Sequence, residues 1–74
     1  MAKTITLNSG NKAEVNIGDV VFVSLIPNNN DYLVRGRYID SENGLVTVSV
    51  LNPKLELDNV LLAESRVVKV EKPN

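Results

Sequence analysis

Valine and isoleucine make up half of the apolar residues of this 74-residue chain, and apolar positions recur at every second residue more often than at every third or fourth. Branched side chains pack well on a pleated surface and crowd a helix, and a period of two puts alternate residues on one face of a strand. The chain therefore reads as all-β. Gly10, Gly18, Gly36 and Gly44, with Asn-rich stretches and Pro27 and Pro53, divide it into runs of the length that strands prefer.

From the N-terminus, Ile5 to Leu7, the turn residues Asn8-Ser9-Gly10-Asn11, and the alternation Ala13, Val15, Ile17 read as a hairpin. Gly18-Asp19 then turns the chain into a strand from Val20 to Ile26. Here Val21, Val23 and Leu25 face one side and Val20, Phe22, Ser24 and Ile26 the other, so both faces are largely apolar. Pro27 to Asp31 is a loop, because proline has no ladder N–H and Asn and Asp bond their own backbone in turns. Tyr32 to Asp40 resumes as a strand, with a bulge or sharp bend expected at Gly36.

Asn43-Gly44 is the strongest local signal. A two-residue type I′ turn needs positive φ at both central positions, and this pair tolerates that best. Val46, Val48 and Val50 alternate with Thr47 and Ser49, which fixes the register of the following strand, since a slip of one residue would put three valines in water. The stretch from Asn52 to Asn59 allows a short strand or an ordered loop. Leu61 to Arg66 contains helix formers and no β-branched residue, so one short helical turn is expected before a last strand at Val67 to Val70 and a tail from Lys72.

The order of these pieces resembles the SH3-like small barrels, a group that includes Tudor and KOW modules. The resemblance rests on Gly18-Asp19 opening a strand with Val21 and Val23, on Arg35-Gly36-Arg37-Tyr38-Ile39-Asp40 running into the Asn43-Gly44 hairpin, and on Glu64-Ser65-Arg66 before Val68 and Val70. It covers roughly residues 18–71 and implies an all-β barrel of five or six strands, within a chain whose 74 residues leave room for one domain only, 1–74. The hairpin would occupy 4–17, the barrel core 18–71 and the tail 72–74. The chain departs from the ligand-binding subfamilies: it has no tryptophan and a single phenylalanine from which to build a peptide groove or an aromatic cage.

Composition narrows the chemistry further. There is no cysteine and no histidine, which removes disulfides, thiolate nucleophiles and the commonest general base and metal ligand. A formal net charge of -1 gives no overall field toward nucleic acid or anionic lipid. The first residues lack the roughly 7–15-residue apolar core of a signal peptide, and no apolar run approaches the ~18 residues of a membrane span. The expectation is a cytoplasmic protein with no membrane, metal or cofactor partner.

Arg35 and Arg37 beside Tyr32 and Tyr38 form the sharpest candidate binding set, because guanidinium groups grip phosphate and tyrosine rings stack on unpaired bases, and Phe22, on the apolar strand from Val20 to Ile26, is a further candidate as a contact for self-association. The competing reading is a solvated strand face, with Asp31, Asp40 and Glu42 close enough to offset the arginines. Asp40, Glu42 and Asn43 resemble the start of a calcium loop, yet Leu45 and Leu51 stand where that loop needs glycine and glutamate. Glu14, Asp19, Glu56, Asp58 and Glu64 offer carboxylates without any spacing that selects a pair. No catalytic residue is assigned, and the expected function is a non-catalytic protein-interaction or assembly module, self-associating or joined to a protein partner. A weak nucleic-acid-binding barrel using Arg35, Arg37 and the tyrosines is the alternative. Self-association is expected because a barrel has one interior, and Val20, Phe22 and Ile26 would need cover that the Ile5 to Ile17 hairpin is short to supply.

Overall fold

A computed structural model describes residues 2–26, 31–50 and 59–72. Among these residues seven strands fall in two sheets: β1 (Lys3–Thr6), β2 (Lys12–Val15), β3 (Val20–Ser24), β4 (Leu33–Glu42), β5 (Leu45–Val50), β6 (Asn59–Ala63) and β7 (Val67–Glu71). β1 and β2 form a two-stranded antiparallel hairpin, and the others form a five-stranded antiparallel sheet in the order β6-β5-β4-β3-β7. The expected loop at 27–30, the ambiguous stretch 52–58 and the tail residues Pro73 and Asn74 lie outside the described residues.

The core follows from the alternation. Ile5, Val15, Val21, Val23, Tyr38, Val46, Val48 and Val67 are buried together, with Leu7, Leu25, Val34, Leu62 and Val70 packed around them. Ile5 and Val15 come from the hairpin, so β1-β2 lies against the inner face of the larger sheet and completes its core. It does not cover Val20 and Phe22, which stay half-buried on the outer face. The hairpin is fastened at its ends: the Asn8 backbone N–H donates to the Val67 carbonyl at 2.8 Å, and the Lys3 ammonium donates to Asp40 Oδ1 and the Ser41 carbonyl, both at 2.7 Å.

The Asn43-Gly44 turn forms as expected, with φ of 55° and 79° and Glu42 paired to Leu45. Four sequence expectations about the fold are corrected. First, Gly36 is no bulge: it sits in regular register between Val21 and Val50. Its lack of a side chain is needed for close packing, since a β-carbon there would collide with Val48 Cγ1 and lie 2.8 Å from the Ser49 carbonyl oxygen. The irregularity falls instead at Ile39, where Tyr38 pairs with Val48 and Asp40 already pairs with Thr47.

Second, the helical turn expected over Leu61 to Arg66 shrinks to one 3-10 turn at Glu64–Arg66, because Leu61 to Ala63 belong to β6. Pairing with β5 places Leu62 opposite Val46 and toward the core, and this tertiary contact outweighs local helix propensity. Third, the sheet is not closed into a barrel. β6 and β7 are its outermost strands, with no ladder joining them among the described residues. Fourth, the strand expected from Val20 to Ile26 stops at Ser24, whose hydroxyl turns to donate to the Ile26 carbonyl at 2.6 Å.

Candidate functional site

Pairing across five strands defines the outer face of the larger sheet. Phe22 stands opposite Arg35 on one side and Lys69 on the other, and the Lys69 ammonium lies 5.8 Å from the Phe22 ring centroid. The next row runs Glu71, Val20, Arg37, Ser49, Asn59. Beyond the irregularity at Ile39 come Asp40, Thr47 and Leu61, then Glu42, Leu45 and Ala63.

The extra residue at Ile39 decides what shares this face. In an uninterrupted strand, 35, 37, 39 and 41 would point one way and 40 and 42 the other. One added residue brings Asp40 and Glu42 round to the side of Arg35 and Arg37. The face thus carries Arg35, Arg37 and Lys69 against Asp40, Glu42 and Glu71, a balanced set.

Of the five candidate binding residues, Phe22, Arg35 and Arg37 are brought together on the outer face. Tyr38 is on the other side, 2% exposed in the core, with its hydroxyl 2.7 Å from Ser41 Oγ. Tyr32 is 66% exposed just before β4. The two tyrosines therefore do not form one stacking platform with the arginines. Lys69, which flanks Phe22, was not singled out from the sequence, since only the pairing of β7 with β3 brings it there.

The charged groups differ in their commitments. Arg37 donates to the Gly18 carbonyl at 3.2 Å, and Lys69 pairs with Glu71 at 2.9 Å. A hydrogen bond from Lys3, with a further backbone bond at Ser41, holds the Asp40 carboxyl below its ordinary pKa, and the same Asp40 contact raises Lys3. Among the described residues, the side chains of Arg35 and Glu42 have no hydrogen-bond or ion-pair partner. Asp40, Glu42, Leu45, Thr47 and Leu61 line a shallow depression of about 220 Å³ at the acidic end of the face.

Asp19 is 3% exposed and lies away from this face. Its carboxylate accepts the Asn16 N–H at 2.9 Å and the Lys72 ammonium at 2.5 Å, and Lys72 also reaches the Glu14 carbonyl. Desolvation pushes its pKa up, yet the bonds from Lys72 and Asn16 together outweigh that and leave the carboxyl below its ordinary value. Glu56 and Asp58 lie outside the described residues, and among the described residues no three acidic side chains converge on a metal position. No helix there is long and apolar enough to cross a membrane. Comparison with family models, curated proteins and solved structures found no match to this chain.

Proposed function

We propose that this chain is a non-catalytic protein-interaction or assembly module of open SH3-like architecture, and that it meets its partner through the outer face of the five-stranded sheet. The observation that carries the reading is the division of labour between the two faces. The hairpin supplies Ile5 and Val15 to the inner face, while Val20 and Phe22 remain half-buried and Leu45 and Leu61 exposed on the outer one. Apolar side chains interleaved with charge of both signs suit a protein surface, where packing contributes affinity and charge sets register. The SH3-like assignment is supported by the sequential β3-β4-β5-β6 meander, with a 3-10 turn leading into β7 beside β3. Cytoplasmic residence belongs to the same proposal.

The alternative, a weak nucleic-acid-binding module, is favoured by one observation: Arg35, Arg37 and Lys69 surround Phe22, the combination that grips phosphate and stacks on a base. Three carboxylates on the same face oppose it. A photoreactive side chain at Leu61, with one at Glu14 on the hairpin as control, distinguishes the readings in cells that express the protein. Polypeptide adducts from position 61 alone are expected. Nucleic-acid adducts favour the alternative, and adducts equal at both positions or absent at 61 overturn the outer face as the contact surface.

A further inference from the structure

We propose that the partner of the outer face is a second copy of this chain, joined about a two-fold axis that crosses β4 at the level of Val48. The inference rests on the interaction reading above and names its occupant. Its basis is the order of charge along the middle strand of the sheet: Arg35 and Arg37 at one end, Asp40 and Glu42 at the other, all on one face because of the extra residue at Ile39.

The spacing of these four is self-complementary. Counted on the regular strand β5, Arg37 stands opposite Ser49 and Asp40 opposite Thr47, so that pair is centred on the Val48 row. Glu42 stands opposite Leu45, three residues beyond Val48, and Arg35 lies one step past the Gly36–Val50 pair, equally far on the other side. Both cation–anion pairs share one centre. In an isologous contact, residue i of one copy meets residue j of the other and j meets i. An axis in the contact plane and perpendicular to β4 lays Arg35 over Glu42 of the other copy and Arg37 over its Asp40, each twice.

The rows next to the centre agree with this placement. The row Arg37, Ser49, Asn59 lies over Asp40, Thr47, Leu61 of the second molecule, so small polar side chains meet at the centre and Leu61 meets the edge of the sheet. The depression at the acidic end receives the arginine side chains, with Leu45 and Leu61 available to their aliphatic stems. Arg35 and Glu42, which have no side-chain hydrogen bond or ion pair among the described residues, acquire one. Arg37 and Asp40 already have the Gly18 carbonyl and Lys3, so the outer pair carries the specificity.

Sedimentation equilibrium of the full chain tests this, with circular dichroism confirming that each variant folds. A reversible dimer is expected at low salt, loosening by about tenfold or more near 1 M salt, where the Debye length falls to ~3 Å. Arg35→Glu and Glu42→Arg should each weaken it by roughly tenfold or more, since each sets two like charges together. The double variant Arg35→Glu/Glu42→Arg should return to within about threefold of the original, and an equimolar mixture of the two single variants should form a heterodimer. A monomer at ~1 mM overturns the second copy, while polypeptide adducts from position 61 to another protein would leave the interaction reading standing. A dimer indifferent to the charge exchanges, or one the double variant fails to restore, overturns the β4 pairing.

Discussion

Asp19 is the one buried charged side chain among the described residues, and its partners come from three places in the chain: Asn16 in the preceding turn, Lys72 after β7, and Glu14 through the same lysine. Because its folded pKa is depressed, the stabilisation is fully present above the unfolded value and is lost as pH falls through the folded one. Asp19→Asn keeps an acceptor for the Asn16 N–H and removes the charge. At neutral pH it should cost about 1–3 kcal/mol, toward the lower end because Lys72 is half-exposed and screened. Denaturant unfolding measured from neutral pH downward should show the two proteins starting to converge near the ordinary carboxylate value of 3.8 and meeting only below the lower folded value, where the wild-type carboxyl is itself protonated. Curves that stay parallel throughout would show that Asp19 contributes by shape alone.

The β4-β5 hairpin is the element on which the candidate face depends, because it holds both the turn that sets register and the irregularity that gathers the charges. At Gly44 a β-carbon would meet no atom within 4 Å, so the cost of a side chain is conformational rather than steric. Gly44→Val places a β-branched residue at φ 79° and should lose about 1–2 kcal/mol or somewhat more. In a domain of this size that lowers the thermal midpoint by ~4–8 °C for each kcal/mol. A thermal melt unchanged by Gly44→Val would mean that the turn relaxes to another type at no cost, and that the register is held by the valines alone.

Across the whole molecule, the hairpin acts as the second layer of the core. Six of the eight buried apolar residues among the described ones are valines, so each large side chain counts, and Ile5 is the largest contribution from β1. Ile5→Ala should destabilise the entire domain by about 2–5 kcal/mol, a large share of the ~5–15 kcal/mol typical of small proteins. The readout is cooperativity: amides of β3 and β5 should lose hydrogen-exchange protection in step with those of β1 and β2. Loss confined to β1 and β2 would show that the five-stranded sheet stands without its cover.

Much of the fold was legible in short-range signals. The β-branched alternation marked β2, β3, β5 and β7, and Asn43-Gly44 marked the central turn, because both act over one or two residues and need no knowledge of what lies opposite. Arg35 and Arg37 were singled out with Tyr32 and Tyr38, and Phe22 separately as an apolar contact; the pairing of β3 with β4 puts Phe22 beside the arginines. Tertiary structure decided the rest. Leu61 to Ala63 became a strand only because β5 offered a ladder, and Gly36 proved a point of close packing rather than a bulge. Tyr38 turned inward while Lys69 joined Phe22 from a strand more than 40 residues away in sequence. The single extra residue at Ile39 has no local signature, since it exists only in the register of β4 against β5, yet it alone determines that Asp40 and Glu42 face the same way as Arg35 and Arg37.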